Sequence, residues 1–166
     1  MEKNGLSSLG IIFMQCSAAI RGWVKQSLNI DMRCIEELSS GAIYCQLLDM
    51  IYENVVPLKD VVFATNRITI FRKNFIVLQK CLEQLEIPIE VPIEDLVWCD
   101  FEANLAFAVE FFKIFRTLSS SCEKRMLTYK ALTARNYQKF SMDPPTLVSR
   151  GTEIPNLEEL EKNFTS

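Results

Sequence analysis

Residues 40–52 read SGAIYCQLLDMIY, and Ala42, Ile43, Tyr44, Cys45, Leu47, Leu48, Met50, Ile51 and Tyr52 carry apolar surface around nearly the whole circumference of the helix this stretch predicts. A helix at a protein surface needs a single apolar stripe, whereas one that is apolar all round has to be enclosed by other elements. The fold is therefore expected to be assembled around this segment. The chain has 166 residues, 49% of them hydrophobic, which suffices for one domain with a sizeable core and is too little for two. Its unbroken apolar runs are short and flanked by charge, so no segment is predicted to cross a bilayer as a helix. The stretch MEKNGLSSLGIIFMQC has neither the strongly basic region nor the cleavage pattern of a signal peptide.

Helical periodicity recurs along the chain and strand alternation hardly occurs. A first helix is expected over roughly Ile11 to Leu28, with Ile12, Ala19, Ile20, Trp23, Val24 and Leu28 on one face. Asn29 or Asp31 is positioned to cap a short helix through Cys34, Ile35 and Leu38, and Ser39 or Ser40 to cap the apolar helix. Gly41 permits close approach of a neighbouring helix. Pro57 ends the apolar helix at the latest, and ENVVPLKDVVFA reads as an irregular connection. A long helix from Thr65 or Arg67 to Leu85 places Phe71, Phe75, Leu78, Leu82 and Leu85 on a core stripe. Pro88 and Pro92 bracket an extended link, and Pro92 opens a short helix with Ile93, Leu96 and Val97. Asp100 caps an aromatic helix to Leu118, whose Phe101, Leu105, Ala108, Phe111, Phe112, Phe115 and Leu118 are expected to face inward.

Little in the sequence points to catalysis. Histidine is absent, which removes the commonest general base and metal ligand near neutral pH. Cys16, Cys34, Cys45, Cys81, Cys99 and Cys122 show no tight pairing, so they read as reduced core residues of an intracellular protein rather than as a disulfide frame or zinc site. The glycines, five in all, form no phosphate-binding loop. Acidic pairs such as Glu36/Glu37 and Glu94/Asp95 fit solvated surface better than acid/base work. Neither enzymatic activity nor a cofactor is expected. A formal net charge of −3 and a pI near 5.1 disfavour nucleic acid as a partner.

The ordered set RGWVKQSLN, IEELSSGAIYCQLLDMIY, VPLKDVVF, KNFIVLQKCLEQLEI, IPIEVPIEDLV and FEANLAFAVEFFKIF, with the weaker YKALTARN, resembles the calponin-homology fold, specifically the N-terminal domain of the microtubule end-binding proteins. The resemblance spans roughly residues 12 to 136. It implies an all-α, compact globule with the helix near 40–52 at its centre, extending over 1–122, and a C-terminal extension over 123–166 that is basic and then acidic. It also implies a cytoplasmic, cytoskeleton-associated module that docks on microtubules or tubulin without a cofactor. The alternative is an adaptor of the same fold that has lost tubulin binding and docks another protein through an acidic and apolar face.

That alternative arises where the residues depart from the family pattern. Lys59 is retained in PLKDVVFATN, but Asp60, Val62 and Asn66 stand at or near the family's basic places. From Glu86 to Glu102 there are six acidic residues and no basic one, which weakens attraction to acidic tubulin. Candidate docking cations are Lys59, Arg67, Arg72 and Lys73, joined by Lys124 and Arg125 from a basic segment over 123–150. Simple solvation of that segment is the competing reading. Phe63 and Trp98 are the candidate apolar contacts of a drier interface, against the reading of Trp98 as a core or half-buried anchor.

The final stretch RGTEIPNLEELEKNFTS contains Thr152, Ile154 and Pro155 in a pattern similar to the Ser/Thr-x-Ile-Pro peptide that docks on end-binding proteins, though without basic neighbours. The competing expectation is a tail that packs Ile154, Leu157 and Leu160 on the body. No heptad series follows residue 120, since Pro144, Pro145 and Pro155 interrupt it, so these residues predict a monomer.

Overall fold

The computed structural model describes residues 17–142. Its elements, in chain order, are α1 (17–28), a 3-10 helix Ile35–Ser40, α2 (Ala42–Ile51), a 3-10 turn Leu58–Asp60, α3 (Ile68–Gln84), α4 (Ile93–Leu96), α5 (Phe101–Ser119), α6 (Glu123–Thr128) and α7 (Ala131–Ala134). Among the described residues the only β-structure is an isolated parallel bridge between Ala64 and Ser141. The architecture is all-α.

α2 lies at the centre, as its apolar circumference requires. Every residue from Ala42 to Ile51 is buried except Asp49, which is half-exposed. α3 packs along it, the preceding 3-10 helix bridges α3 and α5, and α6 closes its far end. Gly41 sits in the left-handed region at φ 75°, where a Cβ would lie 3.1–3.2 Å from Phe75 and Asn74. The close neighbour is thus α3, met through its side chains. Ser40 Oγ accepts from the Ala42 amide at 3.3 Å, satisfying one of the donors orphaned at the start of α2.

The α3 stripe is buried at Phe71, Phe75, Leu78 and Leu82, while Leu85 is half-exposed at the helix end. Asp100 caps α5 by accepting from the Ala103 amide at 2.8 Å. Phe111 and Phe107 of α5 meet the Tyr44 ring edge-on at 4.7 and 5.0 Å between centroids. Phe101 departs from the inward stripe: it is the first residue of α5 and 42% exposed, because the helix starts beyond the core's rim. Trp23 of α1 is half-buried, packing edge-on against Phe112 and Phe115 at 5.5 and 5.2 Å. The turn after α1 gives no side-chain cap to the 3-10 helix; Asp31 instead pairs with Lys25 at 3.0 Å. Of the described cysteines, Cys45 and Cys81 are buried, Cys99 and Cys122 half-buried and Cys34 exposed, all as free thiols.

Residues 123–142 fold back onto the body through polar contacts. Tyr129 Oη donates to Asp49 Oδ2 at 2.5 Å, Gln46 Nε2 donates to the Ala131 carbonyl at 2.8 Å, and Arg125 Nη2 donates to the Asp49 carbonyl at 2.8 Å. Arg135 is buried, donating from Nη1 to the Leu28 carbonyl (2.7 Å) and Gln46 Oε1 (3.3 Å) and from Nε to the Gln138 carbonyl (2.8 Å). Burial lowers the pKa of this guanidinium and raises that of Asp49.

Candidate functional site

The loop between α2 and α3 positions the first group of candidates. Lys59 stands exposed in the 3-10 turn, with no ion pair among the described residues, and Asp60 is exposed beside it. Beyond the turn the chain is extended, so side chains alternate: Val61 and Phe63 point in, Val62 and Ala64 point out. Phe63 therefore corrects the expectation of an apolar docking residue. Its ring is fully buried under the Arg135 guanidinium, 5.9 Å from the centroid, and cannot reach a partner. The apolar side chain this loop does present is Val62, 37% exposed, which the alternation within VVFA indicates.

Asn74, buried on α3, holds the loop in place. Its Nδ2 donates to the carbonyls of Ser40 (2.8 Å) and Val62 (3.0 Å), and its Oδ1 accepts from the Val62 amide at 3.1 Å. From the other side, the Thr65 amide donates to the Ser141 carbonyl at 2.9 Å and the Ser141 amide to the Phe63 carbonyl at 3.1 Å. One side chain and one returning strand-like segment thus fix the backbone that bears Lys59. Sequence reasoning missed Asn74, whose only signal was a polar residue on the α3 core stripe.

Arg67 is exposed at the N-cap of α3, its amide donating to Thr65 Oγ1 at 3.2 Å. Lys73 is exposed one turn on, next to Asn74 in sequence, and forms no ion pair among the described residues. Arg72 is committed differently: Nε and Nη2 grip Glu94 Oε1 and Oε2 at 2.8 and 3.2 Å, tying α3 to α4. Lys59, Arg67 and Lys73 are thus carried by the loop and the first turns of α3, with Arg72 turned toward acid.

α4 and its flanks form the acidic part of the surface. Glu86, Glu90, Glu94, Asp95, Asp100 and Glu102 are all exposed. Trp98 lies among them, 37% exposed in the turn before α5, with Phe101 close by in sequence. Trp98 is accordingly neither a core anchor nor fully displayed. Lys124 is exposed on α6, whereas Arg125 is drawn inward to the Asp49 carbonyl and lies 3.8 Å from Glu53. The basic segment is therefore split: Lys124, Lys130 and Lys139 face solvent while Arg125 and Arg135 hold the fold. Thr152, Ile154 and Pro155 lie outside the described residues.

Among the described residues no group of three or more His, Cys, Asp or Glu side chains is placed to hold a metal ion, and no helix is long and apolar enough to cross a membrane. Burial raises the Cys99 thiol to about 11, and partial desolvation of its sulfur together with the neighbouring Glu36 carboxylate raises Cys34, exposed as a residue, to about 11, away from nucleophilic reactivity.

One solved chain, from a study of the structural basis of microtubule plus end tracking by XMAP215, CLIP-170 and EB1, superposes with a TM-score of 0.61 at 28% identity, covering 73% of this chain and 98% of its own. The family model of the calponin homology (CH) domain matches residues 15–117, which takes in α1 through most of α5 with α2 at the centre. The chain belongs to the calponin homology domain family.

Proposed function

We propose that this CH domain is a non-enzymatic cytoskeletal module of the end-binding type, docking on microtubules or tubulin through the face built by the α2–α3 loop and the start of α3. The likeness to the chain from the plus-end-tracking study carries this reading, since it extends over nearly the whole of that chain. Lys59, Arg67 and Lys73 are the exposed cations of this face and would meet the acidic exterior of tubulin. Val62 would add an apolar contact and Lys124 a peripheral charge, whereas Arg72 and Arg125 act by holding α3 to α4 and α6 to α2. No chemistry is required of the domain, only a rigid face.

Microtubule co-sedimentation of the full chain at low and physiological salt tests the reading. Lys59→Glu and Arg67→Glu/Lys73→Glu are expected to weaken binding at low salt, by about threefold to fivefold per charge, and added salt to narrow the difference. Binding that ignores all three substitutions would reject this face.

The exposure of Trp98 amid six acidic residues supports a second reading, in which the α4 side docks a basic partner instead. In that case Trp98→Ala abolishes capture of the partner, and the chain does not sediment with microtubules at any salt concentration.

A further inference from the structure

An apolar cleft on the side formed by α1, α5 and α6 plays no part in the docking face. It encloses about 540 Å³ and is walled by Ile20 and Trp23 of α1, Phe112 and Phe115 of α5, and Met126 of α6. Trp23, Phe112 and Met126 remain half-exposed there, although the rest of the aromatic cluster is sealed. Lys113 and Arg116 stand on the cleft wall, both exposed and neither in an ion pair among the described residues. An apolar slot edged by two uncommitted cations fits an acidic segment with apolar residues at helical spacing.

The chain contains such a segment. In NLEELEKNF, Leu157, Leu160 and Phe164 recur at spacings of three and four, interleaved with Glu158, Glu159 and Glu161. This pattern sets a narrow apolar stripe beside carboxylates, complementary to the cleft in both respects. Reach is ample: the fifteen residues from Met142 to Leu157 span up to about 50 Å when extended, against a radius of gyration of about 14 Å for a body of this size. The tether also makes the encounter intramolecular, with an effective concentration on the order of millimolar.

We infer that the cleft between α1, α5 and α6 is the receptor for the chain's own segment 156–164, with Leu157, Leu160 and Phe164 seated against Trp23 and Phe112 and the glutamates facing Lys113 and Arg116. The inference is independent of which partner the face of the α2–α3 loop takes.

Trp23 is a built-in reporter, since the chain has only one other tryptophan. In a full-length Trp98→Phe background, emission wavelength and acrylamide quenching read whether Trp23 is covered. Leu157→Ser/Leu160→Ser is expected to shift emission to longer wavelength and increase quenching, with helical circular dichroism unchanged. Lys113→Glu/Arg116→Glu should do the same, and adding Glu158→Lys/Glu159→Lys to that variant should restore the shorter wavelength. Trp23 emission indifferent to the tail substitutions overturns the inference, as does failure of the charge swap to restore it. So does a shift that depends on protein concentration, which would seat a second copy, or one produced only by Ile12→Ser/Phe13→Ser, which would seat the N-terminal segment.

Discussion

Asn74 shows how much one polar side chain can organise in an apolar interior. Its amide serves Ser40 and both backbone groups of Val62, so it joins the start of α2 to the α2–α3 loop from within α3. Asn74→Ala would orphan these partners at a cost of about 2–4 kcal/mol, read as a lower urea midpoint, with the loop amides of residues 61–63 losing hydrogen-exchange protection first. Tyr44 is the converse case. Its hydroxyl is buried without a hydrogen-bond partner among the described residues, and its ring does the packing. Tyr44→Phe is therefore expected to leave stability unchanged or raise it by up to about 1 kcal/mol, as a higher melting temperature would show. Burial also raises the thiols of Cys45, Cys81 and Cys99 above their usual 9.0. Below that value both folded and unfolded chains keep these protons, and stability is full. As pH rises through 9 the unfolded chain alone releases them, so stability falls until the folded thiols ionise. Melting temperature should be level from neutral pH to the upper eights and then drop, with Cys45→Ala flattening the slope.

Among the elements, the short helices α6 and α7 depend on their contacts rather than on their own propensity. Helices of six and four residues are far below the length that is stable alone. What holds them is the polar ladder of Asp49, Gln46 and Arg135, which ties residues from Arg125 to Gln138 to α1 and α2. Arg135→Ala should cost about 2–3 kcal/mol, since it frees the Leu28 carbonyl and strips the charged donor from Gln46, and proteolysis would begin within 129–142. The sequence made α2, α3 and α5 legible because their stripes are long and periodic, with Asp100 and the prolines marking their limits. It did not reveal Phe63 as buried or Arg125 and Arg135 as internal ties. A surface loop and a basic run look alike whether their side chains point out or in, and the partners that decide this lie some 75 to 107 residues away in sequence. The same limit applied to the candidate face: Lys59 and Lys73 kept their expected exposure, while Arg72 was already engaged by Glu94.

At the scale of the whole molecule, the decisive quantity is where the exposed charges sit rather than how they sum, since basic and acidic side chains are equal in number over residues 17–142. The chain carries a formal net charge of −3, and the six carboxylates from Glu86 to Glu102 all face solvent. That stretch is repelled by acidic partners, whereas the part bearing Lys59, Arg67 and Lys73 attracts them. Asp60→Lys changes the charge by two units in the 3-10 turn beside Lys59, at an exposed side chain. On the proposed function it should strengthen co-sedimentation with microtubules at low salt, by about fivefold or more, with the gain fading as ionic strength rises. The two backbone hydrogen bonds that join Ser141 to Phe63 and Thr65 set a mechanical order on the molecule. Tension applied through the residues after Met142 is borne first by that short parallel pairing, which is anchored in the backbone presenting Lys59. A pull strong enough to unseat it would slacken that loop before disturbing the sheltered helix, so on the proposed function the domain would release its partner while still folded.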